Sequence, residues 1–508
     1  MSDQSPPLPL ESTATKSSYA EEKSYWHEAQ QHFFRNKLAV VSLIVICFIA
    51  TVGVFCPLLA NKRPIYIKMV FEDEYDENYY IVLNVLDQLR EESSSRSDDE
   101  LRAILSVSFD LMNASLASDL QTEFQILTKQ LYRLATDKSF ETEEAESLIL
   151  NFEDNYEVSE VALQALGRYP LFATLTFSER AFMLGFVLFF SLLFFSGWFP
   201  SFKVYAFTIL LITLGLTFLT LRISPIVQDE FFYRNLIESP TFGEKGERAF
   251  RTLIPFGENE NITTESRQPP TWLLDEADYA ENQRYHLLGT DTNGRDVLTR
   301  MIYGARISML IGIIAVSIYV SIGIFLGAIA GFYRGWVDMA LSRIIEIVIC
   351  FPVLFLILSV QAFLQPSIFN IIVALGIVSW TSVARLERGE FLRIVNQDFV
   401  LSARSMGASN FRLIFRHVLP NALGPILVIT SFGIAGSILV ESTLSFLGFG
   451  VPQPMASWGD LLNNGRNDIQ GTWWLTVFPG IAIFLTVTCF NLIGEGVRDA
   501  LDPKRDAT

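Results

Sequence analysis

Eight apolar stretches constrain this 508-residue chain more than any other feature: about Leu38 to Ala60, Ala181 to Phe199, Val204 to Leu221, Ile307 to Phe332, Ile344 to Phe363, Ile368 to Ala384, Leu423 to Val440 and Leu475 to Ile493. A hydrocarbon core of roughly 30 Å takes about 20 helical residues, and within lipid every backbone polar group must be satisfied inside the segment. The pattern therefore predicts an all-α polytopic membrane protein, in keeping with a composition that is 50% hydrophobic with 42 Phe. The first run follows about 37 polar residues without a small-residue cleavage site, so it reads as a retained anchor.

Acidic residues outnumber basic ones, 55 to 38, which argues against a nucleic-acid partner. The excess is local: about 23 Asp and Glu against 10 Lys and Arg fall between Lys62 and Ser178. Cys47, Cys56, Cys350 and Cys489 all sit in apolar runs with no metal-ligand spacing, and are expected to act as small hydrophobes.

Lys and Arg near the spans set the orientation. With the N-terminus inside, Lys16, Lys23, Arg35, Lys37, Arg334, the six arginines from Arg385 to Arg416, Arg498, Lys504 and Arg505 are cytoplasmic, and the short loop at Gln365 and Pro366 carries no charge. Both termini are then cytoplasmic and the acidic block is external. The expected division is a cytoplasmic segment 1–37 with an interfacial helix, a first span 38–60, an acidic external domain 61–178, a transmembrane hairpin 179–222, an external connection 223–300, a core of five spans at 301–497 and a tail 498–508. The block, the hairpin and the stretch to about Pro270 read as one insertion into a six-span protein. Leu101, Leu105, Phe109, Leu116 and Leu120 recur at helical spacing, so the external domain is expected to be mainly helical. Tyr25, Trp26, Ala29 and Phe33 mark a helix lying along the interface or extending the first span.

No enzyme constellation is present. The stretch Gly289 to Asp296 has the glycine spacing of a phosphate loop, but Arg295 and Asp296 replace the Lys and Ser/Thr that such a loop needs, and it reads as an external turn. Four His form no H-E-x-x-H pair, and no Gly-x-Ser-x-Gly elbow occurs. No catalytic residue, metal site or cofactor is expected on this chain, so energy must come from a partner or an ion gradient.

The cytoplasmic stretch 385–420 is too long for a minimal connection. Phe399, Val400, Ala403 and Met406 mark one helical face, and Phe411, Ile414, Phe415 and Val418 mark another. Gly407 separates them as an elbow, and Pro420 is expected to interrupt the second helix before the membrane. Two short helices with a glycine elbow read as a docking knob for a soluble motor; the alternative is an amphipathic loop flat on lipid. Gly323, Gly327 and Gly331 form a small-residue ridge for helix packing or sliding. Arg343 and Glu346, three apart, read as a structural or gating pair, and Glu441 as a pathway or structural group.

Ala403, Gly407 and the pair Leu419-Pro420 match the spaced core of the cytoplasmic loop of ABC importer permeases, with Leu401 and Ser402 departing from its usual Glu-Ala opening. His286 to Asp296, Gly304 to Ser308, Arg416 to Asn421, Glu441 to Gly448, Trp458-Gly459 and Arg498 to Pro503 resemble, in order, the C-type permease subunit of the oligopeptide/dipeptide branch. The resemblance covers most of the chain from Tyr285 onward and Tyr25 to about Ala60. It implies a type I ABC importer transmembrane fold with six core spans, in the bacterial inner (plasma) membrane. It also implies a second homologous permease, two cytosolic ATPases gripping loop 385–420 at Ala403, Gly407, Phe411, Ile414, Phe415, Leu419 and Pro420, and an external substrate-binding protein, with ATP and Mg held by the ATPase subunits. Peptide is the implied cargo, with nickel or haem as variants. An ion-coupled secondary transporter is the alternative, and it requires inverted repeats that the sequence lacks. A membrane-tethered interaction module built around the acidic domain is a third reading.

Overall fold

The computed structural model describes residues 25–69, 72–90, 96–116, 120–135, 141–156, 166–195, 233–234, 237, 239, 242, 248–274, 284–364 and 367–501. The predicted third span, Val204 to Leu221, lies outside the described residues, as do the end of the second and the charged tail after Leu501.

Helix α1 (Tyr25–Arg35) stops at Asn36, whose carboxamide accepts from Ala39 N at 3.3 Å and so starts α2 (Lys37–Val54) as a separate helix. The break removes the reading of α1 as an extension of the first span. Ala29 is buried, and Phe33 lies against the chain at Gly496, so α1 rests on protein. A short helix α3 (Cys56–Leu59) then leads to strand β1 (Tyr66–Met69).

The acidic block folds as α4 (Glu72–Arg90), α5 (Asp98–Ser115), α6 (Gln121–Leu134) and α7 (Thr142–Tyr156). Helix α5 is well signalled: Ser97 accepts from Glu100 N, and Asp98, Asp99 and Glu100 meet the positive end of the helix dipole. Leu101, Leu105, Phe109 and Met112, spaced four, four and three apart on one helical face, are buried with Leu86, Phe124, Leu131 and Ile149 in a single core. Sequence spacing did not reveal a three-stranded antiparallel sheet, order β2-β1-β3, in which β1 pairs with β2 (Leu166–Arg168) and β3 (Arg248–Phe250). Beyond β2, α8 (Pro170–Thr174) and α9 (Phe177–Phe195) follow, and Leu171, Leu175 and Met183 pack with Val54 at the C-terminal end of α2.

Among the described residues, five helices are long and apolar enough to cross a membrane, or six when one bent pair counts as a span. They include α2, α10 (Val297–Tyr333), α13 (Ile368–Ile394), the run Asn410–Phe446 and α18 (Trp474–Leu501). The predicted fifth span is not one helix: α11 (Gly335–Ile349) and α12 (Val353–Phe363) meet at 77°. Pro352 lacks an N–H and biases Phe351 away from helical geometry, which breaks the span there although the apolar run continues.

Helix α10 is the central pillar, and its glycine ridge faces α13. A Cβ on Gly323 would lie 2.5 Å from Val383 Cβ, one on Gly327 2.7 Å from Glu387 Cβ, and one on Gly331 2.5 Å from Phe391 Cβ. The two backbones approach because the ridge has no side chains, the main source of affinity between helices in lipid. At its N-terminal end, α10 begins on the Asp296 carboxylate, which accepts from Thr299 N at 2.7 Å.

Candidate coupling loop and buried clamp

After α13 the chain enters α14 (Asp398–Ser405), which buries Val400 and Ala403 against Phe391, Ile394, Phe332 and Ala328. The helix ends at Gly407 with φ +85°. Ala408 N donates to Ala403 O at 3.1 Å and Gly407 N to Arg404 O at 3.0 Å, the paired bonds of a glycine-terminated Schellman motif. No atom lies within 4 Å of where a Gly407 Cβ would be, so backbone angle and not space demands glycine. Ser409 then accepts from Arg412 N to cap α15 (Asn410–Arg412).

Pro420 does not separate this second helix from the membrane. Leu413–Val418 adopts π geometry and runs directly into α16 (Leu419–Phe446), giving one apolar run from Asn410 to Phe446. Pro420 sits in the first turn of α16, where its missing N–H is tolerated, and the wider π register accommodates the local shortage of donors. The π turn also redistributes the predicted face. Leu413 and Val418 are buried, whereas Phe411 and Phe415 stack at 4.5 Å and remain outside. With Ile414 and Leu419 they wall a cleft of about 500 Å³ whose other side is Phe325, Ile329 and Tyr333 of α10. Met406, at the elbow, is 82% exposed. The loop is therefore braced underneath by the core and apolar at its tip.

The remaining predicted residues lie elsewhere. Arg343 and Glu346 pair at 2.5 Å on an exposed face of α11. Glu441 is fully buried, and its carboxylate accepts from Ser445 at 2.8 Å, Ser308 at 3.0 Å and Ser442 at 3.4 Å, tying α16 to α10.

On the face opposite the loop, sequence reasoning missed a buried ionic clamp. Arg300, with no exposed side-chain surface, donates to Asp460 at 2.8 Å in α17 (Trp458–Gly465), and its Nε lies 3.6 Å from Asp291. Asp291 also receives Arg295 at 2.7 Å and closes the turn by accepting from Asn293 N and Arg295 N. The glycines of this turn are obligatory: Gly294 has φ +73°, and a Cβ there would meet Ile262 O at 1.8 Å. The stretch with phosphate-loop spacing is thus a structural knot.

His286 sits beside the clamp, 1% exposed, with Nδ1 2.8 Å from Asp296 Oδ1 and Nε2 3.0 Å from Glu265 Oε2. Phe256 stacks on it at 4.3 Å, and Arg284 lies 3.6 Å from Glu265. Burial works against a charged imidazole here, but the hydrogen bonds and negative charges of Asp296 and Glu265 outweigh it and raise its pKa. Stability from this imidazolium is fully present below the unfolded value, about 6.5, and is lost as pH climbs through the raised folded value. Raising pH from about 6 to about 9 is expected to lower the thermal unfolding temperature of the purified protein, and His286→Gln to flatten that dependence. Parallel slopes for the two proteins would remove His286 as the source.

Two family models match the chain: the binding-protein-dependent transport system inner membrane component over residues 323–507, and the N-terminal TM domain of oligopeptide transport permease C over 24–79. The dipeptide transport system permease protein DppC of Alkalihalophilus pseudofirmus is 43% identical over 219 residues, covering 43% of this chain and 72% of that protein. The oligopeptide transport system permease protein OppC of Haemophilus influenzae is 44% identical over 220 residues, covering 43% and 71%. The glutathione transport system permease protein GsiD of Pectobacterium atrosepticum is 43% identical over 219 residues, covering 43% and 73%. The inward-facing MetNI methionine ABC transporter aligns over 39% of this chain and 95% of its own at 16% identity and a TM-score of 0.33. By these relatives and by both family models, the chain belongs to the binding-protein-dependent transport inner membrane components, among the OppC- and DppC-like permeases.

Proposed function

We propose that this chain forms half of the translocation path of an ATP-driven importer of oligopeptides or dipeptides, and that its loop 385–420 receives the force. The chain is a multi-pass inner-membrane permease subunit and not an enzyme, and its family implies an ATPase and a substrate-binding protein as partners. The finer assembly we infer is a second, homologous permease and two ATPases, one gripping Met406, Phe411 and Phe415. The single observation behind this reading is the loop itself: a rigid elbow seated on the bases of α10 and α13, with its apolar tip uncovered. A motor can bias two transport states only through a contact that differs between them, and a surface stiffly joined to the pillar helices supplies one. Peptide cargo is inferred from the named cargo of the relatives. Residues 80–322 fall between the two matched segments, which supports reading most of the stretch from Lys62 to about Pro270 as an insertion.

Proteoliposomes carrying the chain with its second permease, ATPases and binding protein are expected to accumulate labelled dipeptide only when ATP is enclosed on the loop side. Accumulation without ATP, driven by an ion gradient, would transfer the chain to the secondary-transporter class. A cysteine replacing exposed Asp110 on α5 is expected to react with a membrane-impermeant maleimide applied to intact cells, above the wild-type background. Protection at that site would invert the proposed orientation, in which both termini are cytoplasmic.

A further inference from the structure

Glu387 lies on α13 where that helix crosses the glycine ridge of α10, its Cβ set against Gly327. It has no exposed surface, and among the described residues neither carboxylate oxygen has a hydrogen-bond partner. Glu441 is equally buried, but its carboxylate accepts from three serine hydroxyls. The cations nearest to Glu387 in sequence do not serve it. Arg388 makes two bonds to Asp338 of α11, one of them at 2.8 Å, and Arg393 is bound to Glu390 at 3.0 Å. Arg385 is exposed and two positions back, on another side of the helix. We propose that Glu387 is a positioning residue for transport: its stranded carboxyl strains the closed seam between α10 and α13, and water relieves it when the loop-bearing ends of the two helices part.

Burial without a hydrogen bond destabilises a carboxyl group with or without its proton, because water would satisfy both oxygens. A native structure that keeps such a group has a use for the strain. Its place says what the strain acts on. Gly323, Gly327 and Gly331 bring the two backbones together, so the carboxyl group sits in a seam with no slack. One turn further along α13, Phe391 packs with Val400 and Ala403 of the coupling loop. A motor that draws the loop aside therefore pulls on Phe391 and opens the seam beside Glu387. A group that is dry in one state and hydrated in another shifts the equilibrium between them, here toward the parted seam. That half of the inference rests on the coupling role of loop 385–420, whereas the strain itself does not.

The strain is read on the full-length chain in detergent. Glu387→Leu, which removes the polar atoms and keeps most of the volume, should raise the thermal unfolding temperature by about 2 °C or more. Glu441→Leu, which strands three hydroxyls, should lower it. An unchanged or lower unfolding temperature for Glu387→Leu would overturn the proposal. The relief is read in proteoliposomes holding the chain with its second permease, ATPases and binding protein. Glu387→Leu should slow ATP-driven uptake at least about threefold, while Glu387→Gln, which water also solvates, keeps most of it. In the Glu387→Cys protein, a small water-soluble maleimide should react at least about tenfold faster with ATP enclosed than without, after subtraction of the signal from Cys47, Cys56, Cys350 and Cys489. Equal rates in vesicles that accumulate substrate would overturn the relief and leave the coupling reading intact. Vesicles of the unaltered chain that accumulate nothing with ATP would strike the coupling reading, and the thermal comparison would still decide the strain.

Discussion

Gly407→Pro is expected to strip this chain of the ATPase proposed to grip its loop while leaving it in the membrane. Gly407 holds φ +85°, which proline, fixed near -65°, cannot adopt, and its N–H closes the helix by donating to Arg404 O. Losing both unwinds the elbow between α14 and α15 and redirects Met406, Phe411 and Phe415. The open space around Gly407 permits a graded series. Asparagine tolerates left-handed angles and should retain most of the motor; alanine should cost about 1–2 kcal/mol of elbow geometry; proline should reduce ATPase recovered by affinity co-purification more than about tenfold. Phe415→Asp should release the motor without unwinding anything, since its ring is outside the core. Retention by both Gly407→Pro and Phe415→Asp would leave the loop without a coupling role.

Arg300→Met is expected to shorten the lifetime of the folded protein on heating more than any other single change outside the spans' apolar core. The substitution leaves Asp460 and Asp291 buried with a cation withdrawn, and breaking a buried pair on one side typically costs about 3–5 kcal/mol. It also forfeits the bonds from Arg300 to Glu258 O and Pro454 O at 3.3 Å, which anchor two loops over the end of α10. Lysine should rescue little, because one ammonium cannot replace a fork spread over four acceptors. The double change Arg300→Met with Asp460→Asn should recover part of the loss, since it removes one stranded charge, and a double-mutant cycle on inactivation rates in detergent would report the coupling. Additive losses would show that the two residues act independently.

What was legible in the sequence follows from how local each signal is. Apolar runs of span length gave the helices, and the ridge Gly323, Gly327 and Gly331 is visible because its four-residue intervals sit in one continuous helix. The helical spacing from Leu101 to Phe109 likewise exposed the core of the acidic block. The bend at Cys350 to Pro352 was masked because both arms are apolar, so hydropathy joins what the missing proline donor divides. The sheet was unreadable: its strands are three or four residues long and lie about 100 and 80 residues apart in sequence. The clamp was hidden for the same reason. Arg300 reads as one more flanking charge until Asp460, 160 residues away, is brought beside it. At the coupling loop, the elbow and buried Ala403 were legible, but the π turn that points Phe411 and Phe415 outward was not, because a one-residue widening leaves no mark in composition.

Strands β1 and β2 have one more consequence. Met69 faces Leu166 across the ladder, so the acidic head departs and returns through a single doorway, like a pendant on a ring. Evolution can hang or remove such a pendant without touching the moving parts below, and a two-residue Asn-Gly turn grafted between those ends would do the same at the bench. A cut at Lys62 and Ser178 would instead tear out Ile67, Leu171 and Leu175, the rivets holding the doorway to its neighbours.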